Sequence, residues 1–229
     1  MKHRDKLLEI YAILFKAFGH QHWWPGDTPF EIAVGAILTQ NTNWGNVIKA
    51  INNLKAKDLL NAYSINTISH DELAAAIRPS GYFNIKAKRL KSFISLLVND
   101  FDGEIENMAQ IETMKLRKQL LDVNGIGPET ADSILLYAVN KAVFVVDVYT
   151  RRVISRHGLM DYNSSYDEFQ RLFHDNLDTD IKLYNEFHAL FVMTGKYFCK
   201  PKANCYGNKS CPLNVNLSHL SSSLSLLSQ

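Results

Sequence analysis

Asp147 is the residue with the clearest capacity for chemistry, because it stands between an apolar run and a predicted helix. The run is Val-Phe-Val-Val at 143–146, and helical spacing of apolar residues resumes after it. An aspartate in such a place is usually an N-cap, whose side-chain oxygen accepts a backbone amide hydrogen bond. The positive end of a helix also favours an ionised carboxylate, which could stabilise a developing cation or orient a water molecule. Asp147 is therefore either a cap alone or a cap that is also catalytic.

A glycine-rich turn upstream of Asp147 gives a second chemical signal. Asn-Gly-Ile-Gly-Pro at 124–128 separates two segments in which apolar residues recur at helical spacing. Gly125 and Gly127 permit positive φ and close backbone approach, and Pro128 suits the first turn of a helix. Such a turn presents bare amide groups to a phosphate oxygen. The pattern predicts a helix-hairpin-helix motif over about residues 116–138.

The tryptophans form a third group with binding potential. Trp23 and Trp24 come directly before Pro25, and Trp44 follows the Leu-Thr-Gln-Asn-Thr segment at 38–42. Aromatic side chains more often belong to a core than to a ligand site. The polar surroundings of residues 23–25 and the adjacent turn are nevertheless typical of a surface or cleft. An aromatic face there would attract an electron-poor or cationic ring.

Helices must position these groups, because no segment alternates with the period of two that is typical of a strand. We find no internal repeat, and the pattern predicts an all-α protein. The predicted helical segments are 3–18, 30–38, 46–60, 71–77, 84–101, 112–138, 147–157, 165–177 and 181–197.

The composition is that of an ordinary soluble globular protein, with 46% apolar and 21% charged residues among 229. This length can hold one large domain or two small ones. A net charge of +2 does not by itself indicate nucleic acid, and each basic cluster reads singly as a solvated helix face. No apolar run reaches the roughly 20 residues of a membrane span, and the N-terminus lacks a signal-peptide core, so we expect a cytoplasmic protein.

Three further motifs join the hairpin and Asp147 in a recognisable order. They are WWPG at 23–26, LTQNT at 38–42 and RPSGYFNIKAKRL at 78–90. Together these features resemble the helix-hairpin-helix DNA glycosylases of the endonuclease III superfamily over about residues 23–211. Within that superfamily, the motifs resemble the bacterial 3-methyladenine DNA glycosylase subgroup.

The resemblance implies two helical domains with the active site in the cleft between them. A six-helix barrel would span residues 24–135 and contain most of the hairpin motif. Residues 1–23 and 136–216 would form the second domain, with Asp147 and the cysteines. We expect the Ser/Leu-rich tail at 217–229 to be poorly ordered.

The resemblance also implies how the protein would reach a base inside a duplex, by rotating the nucleotide out of the stack. Gln40 would enter the vacated stack, and Tyr82 would wedge the opposite strand. The alternative for Gln40 is a polar residue at a helix end that satisfies backbone groups. The residues that would contact DNA at the hairpin are Asn124, Gly125, Ile126, Gly127 and Thr130.

The substrate-base pocket would be aromatic, and its implied members are Trp23, Trp24, Pro25, Trp44 and Lys196. Alkylated purines are cationic or electron-poor, and an aromatic face stabilises such a ring by about 1–2 kcal/mol when desolvated. Alkylation also turns the base into a good leaving group. Asp147 would then need only to stabilise the oxocarbenium-like sugar and to orient or deprotonate the attacking water.

The position after the hairpin bears on strand cleavage. Bifunctional relatives carry a lysine two residues after the second hairpin glycine, and its amine forms a Schiff base with the sugar. Counting from Gly127, that position holds Glu129, which cannot form an imine. We therefore expect a monofunctional enzyme. Lys196 is either a substitute nucleophile or a solvated lysine at a helix end.

Cys199, Cys205 and Cys211 are the ambiguous feature. Related proteins often hold a [4Fe–4S] cluster here on four cysteines, but this chain has three, with spacing C-x5-C-x5-C. We interpret them as a degenerate iron–sulfur site and expect no required cofactor. The family hairpin also coordinates a monovalent cation through backbone carbonyls, which residues 123–127 could provide.

The resulting hypothesis is a monofunctional DNA N-glycosylase of base excision repair that acts on alkylated purines, with 3-methyladenine first. Its partner would be double-stranded DNA containing damaged bases; we expect a monomer and no membrane partner. One alternative is a bifunctional endonuclease III-like glycosylase/AP lyase for oxidised pyrimidines. The other is a noncatalytic helix-hairpin-helix protein that only binds DNA.

Overall fold

The computed structural model describes residues 2–24, 26–202 and 210–214. Within these residues every regular element is helical, and no strand is present. This confirms the predicted all-α class. Across the same residues, none of the helices combines the length and the apolar character that crossing a membrane would require.

The chain divides into two compact units, of which the first comprises residues 24–142 and the second the described residues before and after it. The predicted boundary at 135 falls inside a buried π-helical segment, Ile134–Ala138, that continues the helix before it. The barrel arrangement stays a prediction. The helices of the first unit are α2 (Pro29–Leu38), α3 (Trp44–Ala56), α4 (Ala62–Thr67), α5 (His70–Ala76), α6 (Phe83–Phe101), α7 (Ile105–Met108), α8 (Thr113–Asp122) and α9 (Pro128–Ser133). Those of the second unit are α1 (Lys2–Phe18), α10 (Val148–Arg156), α11 (Tyr166–His174) and α12 (Ile181–Tyr197).

Helix α2 is the central helix of the first unit. Its sequence is apolar on nearly every side, and residues 33–38 are buried, as expected of a helix in an interior. Thr28 caps it by accepting a hydrogen bond from the Glu31 amide at 3.1 Å. The helix packs on α3, α6, α9 and the π-helical segment. Its end at Leu38 therefore fixes where the Gln40 loop begins.

Helix α6 carries a buried charge on its inner side. Its apolar face includes Leu90, Phe93 and Ile94, but Lys86 on its first turn is only 1% exposed. The Lys86 Nζ donates hydrogen bonds to the carbonyl oxygens of Leu38 and Ser80, each at 2.7 Å. These bonds replace water around the ammonium group, which burial would otherwise make very costly. Burial, with a smaller effect of Arg89, still lowers the pKa of Lys86 to about 8.

An aromatic cluster in the second unit holds the chain just before Asp147. Phe144 stacks on Phe173 with ring centroids 3.6 Å apart, and its ring meets those of Tyr184 and Phe187 edge-on. Its amide donates to the imidazole of His174 at 2.9 Å. The apolar run at 143–146 is thus buried and fixed at the point where α10 begins.

The lowered pKa of Lys86 predicts how stability depends on pH. The folded chain releases this proton at about pH 8 and the unfolded chain at about 10.5, so the unfolded chain binds more protons in between. Stability must rise with pH across that window. We expect the free energy of unfolding of the wild type to rise relative to that of Lys86→Met from pH 8 to 10.5. Urea denaturation at several pH values measures the difference; a constant difference would contradict the assignment.

Candidate active site

Asp147 is the N-cap of α10. Its backbone is extended, and its Oδ1 accepts a hydrogen bond from the Thr150 amide at 2.7 Å. The side chain keeps 10% of its surface exposed, so it is buried but not sealed. One carboxylate oxygen therefore serves as a helix cap, and the other points elsewhere.

His188 approaches the second oxygen of Asp147. Its Nε2 lies 3.6 Å from Oδ2, and the imidazole is buried on α12, which packs against α10. One signal in the sequence points to this residue, a histidine within an otherwise apolar helix face. Sequence spacing alone could not show that it meets Asp147, since the two are brought together by the packing of separate helices.

The electrostatic balance at Asp147 favours the carboxylate. Burial is the largest influence and acts to raise the pKa of Asp147. The nearby imidazole of His188 and the hydrogen bond from the Thr150 amide outweigh the effect of burial, so the pKa of Asp147 lies below its ordinary value. The group is therefore ionised at neutral pH, as electrostatic stabilisation of a cation requires.

The predicted helix-hairpin-helix is formed by α8, the turn at 123–127 and α9. Gly125 has a φ of +87°, but Gly127 has a φ of −92° and caps α9 without needing a glycine conformation. Of these two glycines, only Gly125 uses the positive φ that glycine permits. A Cβ at Gly125 would collide with Arg89, whereas a Cβ at Gly127 would meet nothing within 4 Å. Nothing in the described protein requires a glycine at 127, and the space beside it is open to a ligand.

Gln40 joins its loop to the hairpin. Its Nε2 donates to the Gly125 carbonyl at 3.1 Å and to the Thr130 hydroxyl at 2.9 Å. Its Oε1 accepts a hydrogen bond from Arg89. Thr130 and Ile126 are buried, and Asn124 is exposed. Gln40 would have to exchange these hydrogen bonds for contacts with DNA in order to enter a base stack.

Tyr82 projects from the turn before α6. It is 69% exposed and adopts a left-handed backbone conformation, with φ +46° and ψ +33°. A bulky residue in this region is unusual and is often associated with a functional position. The preceding Gly81 also has a positive φ, of 69°.

Two of the predicted pocket aromatics meet in the first unit. The rings of Trp24 and Trp44 pack edge to face with centroids 5.2 Å apart, and Trp24 also lies 5.0 Å from Tyr137. Tyr137 is buried and was not singled out from the sequence, where it reads as one more apolar residue of a helix. Trp23 belongs to the second unit, and Pro25 lies outside the described residues.

The last turn of α12 carries Lys196, which is exposed and has its Nζ 5.4 Å from the centre of the Tyr197 ring. The chain then reaches Cys199, which is buried. Its Sγ lies 2.9 Å from a guanidinium nitrogen of Arg156, and its carbonyl accepts from Arg152 at 2.9 Å.

The three cysteines are one fewer than the four thiolates that a [4Fe–4S] cluster takes. Cys211 is half-buried, and Cys205 lies outside the described residues. Among the side chains that the structure describes, no three or more His, Cys, Asp or Glu are grouped as metal ligands.

Comparison with known proteins decides the family. A family model of the HhH-GPD superfamily of base excision DNA repair proteins matches residues 34–178. The chain belongs to this superfamily. The resemblance to the endonuclease III superfamily is thereby confirmed, and the coarse function is that of a DNA glycosylase.

Individual members of the HhH-GPD superfamily are similar over most of the chain. A Methanocaldococcus jannaschii protein named as a candidate DNA repair glycosylase is 48% identical over 211 residues, which cover 91% of this chain and 94% of that protein. The endonuclease III of Sulfolobus acidocaldarius is 31% identical and covers 76% of this chain and 75% of its own. The solved H. pylori 3-methyladenine DNA glycosylase bound to 1,N6-ethenoadenine has a TM-score of 0.73 and 34% identity, covering 85% of this chain and 97% of its own.

The open space at Gly127 predicts a selective effect of Gly127→Ala. The residue has a φ that alanine adopts, so we expect little loss of thermal stability. The added methyl group should obstruct the hairpin amides and weaken binding to duplex DNA by about tenfold, or 1.4 kcal/mol. Fluorescence anisotropy with a labelled duplex measures the binding. Gly125→Ala is the contrasting variant, since it should destabilise the fold; unchanged affinity in a folded Gly127→Ala protein would contradict this view of the hairpin.

His188→Leu should change how activity depends on pH. His188 lowers the pKa of Asp147, so its loss should raise that pKa, and the acid limb of the activity profile should move to higher pH. Single-turnover base release measured across the acid range tests this expectation. An unmoved acid limb in a folded variant would show that His188 does not tune the carboxylate.

Proposed function

We propose that the protein is a monofunctional DNA N-glycosylase that releases alkylated purines, with 3-methyladenine as the leading substrate. The observation that carries the proposal is the buried, ionised and partly accessible carboxylate of Asp147, held by the Thr150 amide and His188. A base excision repair protein needs such a group at the deoxyribose. Helix capping accounts for the contact between Oδ1 and the Thr150 amide, and the second oxygen, near His188, is left for the proposed role.

Asp147 would act as the N-glycosidic bond breaks. The bonding electron pair leaves with the damaged base, and positive charge develops on the sugar. The fixed carboxylate stabilises that charge without having to reorganise. A water molecule then adds to C1′ and loses its proton to the carboxylate or to solvent.

The aromatic residues support the choice of alkylated purines. Trp24 contacts both Trp44 and Tyr137 in the first unit, and aromatic rings of this kind provide the π surfaces that cationic or electron-poor rings prefer. We propose Trp23, Pro25 and Lys196 as further members of the pocket. The 34% identity with a 3-methyladenine DNA glycosylase agrees with this assignment.

The DNA would be held by the hairpin and by two loops of the same unit. We assign phosphate contacts to the main chain of the turn at residues 124–127. Within that turn the side chain of Ile126 is buried and its amide donates to the Val123 carbonyl at 3.1 Å. Gln40 and Tyr82 would act at the everted nucleotide. Thr130 would hold Gln40 through its hydroxyl group. Double-stranded DNA with a damaged base is the proposed partner, and the enzyme would act as a monomer and without a required cofactor.

Glu129 is the reason to propose a monofunctional enzyme. It occupies the first turn of α9, where bifunctional relatives carry the lysine nucleophile, and a carboxylate cannot form a Schiff base. The 31% identity with an endonuclease III supports a second candidate function, that of a glycosylase/AP lyase that uses Lys196.

Asp147→Asn should abolish base release while leaving DNA binding in place. Loss of one fixed stabilising group typically costs about 10²–10³-fold in rate. Incubation with methylated DNA and chromatography of the released bases measures the activity. Asp180→Asn is the matched control, because Asp180 also caps a helix of the second unit but is exposed. Full activity in Asp147→Asn would overturn the proposed role of this residue.

Borohydride should trap no covalent adduct between the wild type and damaged duplex, since the proposed mechanism has no imine. An endonuclease III of known lyase activity serves as the positive control on the same duplex. An adduct that forms with the wild type and disappears in Lys196→Gln would establish the lyase alternative.

A further inference from the structure

Lys86 connects two segments for which the proposed function has separate roles. Its ammonium group donates to the last carbonyl of α2, at Leu38, and to the Ser80 carbonyl in the 3-10 turn before Gly81. The Gln40 loop begins directly after Leu38, and Tyr82 follows two residues after Ser80. One buried side chain thus holds the starting points of both loops.

Burying the Lys86 ammonium group costs more free energy than filling the same space with an apolar side chain. A methionine or leucine would fill the space without burying a charge. An ammonium group is useful here because the last carbonyls of a helix have no partner within that helix. Lys86 supplies donors to two such chain ends at once, and no apolar side chain could do so.

Arg89 extends the same connection to the hairpin. It lies almost one helical turn after Lys86 on α6, donates to the Gln40 amide oxygen, and packs its side chain where a Cβ of Gly125 would lie. The Gln40 amide nitrogen donates in turn to Gly125 and Thr130. Helix α6 therefore joins the Gln40 loop, the Tyr82 turn and the hairpin within one unit.

We propose that Lys86 is a positioning residue for base eversion, which fixes the Gln40 loop and the Tyr82 turn so that both side chains engage the duplex at the same step. The inference rests on the proposed function, because that function gives Gln40 and Tyr82 their contacts with DNA. Lys86 touches neither DNA nor the reacting atoms. Its loss should therefore impair recognition of a distorted site more than general binding, which depends on the hairpin amides.

The test compares Lys86→Met with Lys88→Met, which removes an exposed positive charge from the same helix. Affinity is measured for a duplex with a tetrahydrofuran abasic-site analogue and for the matching undamaged duplex. Lys86→Met should lose about tenfold, or 1.4 kcal/mol, of the preference for the abasic duplex. Lys88→Met should keep that preference and weaken both affinities alike, because an exposed positive charge attracts the phosphate backbone of either duplex. The fluorescence of a 2-aminopurine placed beside the abasic site reports unstacking of the neighbouring base. We expect less unstacking with Lys86→Met than with the wild type or with Lys88→Met.

A double-mutant cycle asks whether Lys86 acts through the loop. Lys86→Met and Tyr82→Ala should be non-additive in the preference for the abasic duplex, since both remove the same contact. Additive losses, or equal losses of preference in Lys86→Met and Lys88→Met, would overturn the inference. If Lys86→Met does not fold, Lys86→Gln replaces it, because the glutamine amide can still donate to one of the two carbonyls. A preference of Lys86→Gln for the abasic duplex equal to that of the wild type would overturn the inference.

The design separates the inference from the proposed function. If the wild type releases no base from methylated DNA and does not prefer the abasic duplex, the proposed function fails. If the wild type releases base and prefers the abasic duplex, the proposed function stands. The inference about Lys86 is then overturned if Gln40→Ala and Tyr82→Ala lose the preference for the abasic duplex but folded Lys86→Met keeps it.

Discussion

A carboxylate can be removed from water and still keep its charge only if neighbouring groups replace the lost hydration. Asp147 meets this condition with a backbone amide on one oxygen and an imidazole near the other. The arrangement constrains the whole second unit: α10 must begin at this residue, and α12 must pack where His188 can reach it. The stacked rings of Phe144 and Phe173 hold the segment before Asp147 in place, which fixes the position of the carboxylate.

The first unit shows the same physical problem with the opposite charge. Lys86 is buried because the ends of two helical segments need donors that the backbone cannot provide. Its lowered pKa records the cost of that burial. In each unit a charged group, Lys86 or Asp147, is buried at a helix end. The contacts around it fix the position of the loops proposed to contact DNA or of the carboxylate proposed to act on the sugar.

The sequence predicted most helices because apolar spacing reports the buried face directly. It did less well where a contact joins distant positions. His188 meets Asp147, and Gln40 meets Thr130, only through the packing of separate helices, which no local pattern encodes. Local chemistry was also misjudged in places: Asp71 was the predicted cap of the helix at 71–77, but Ser69 caps α5 in a capping box with Glu72, and Asp71 lies in its first turn. The short helix α7 escaped prediction because four residues show no period.

Arg152 and Arg156 hold the segment at 199–201 by donating to the Cys199 and Lys200 carbonyls and to that of Pro201. Guanidinium groups are present as soon as the polypeptide is synthesised. This short segment can therefore settle onto α10 during folding itself, through hydrogen bonds that the chain provides from its own side chains.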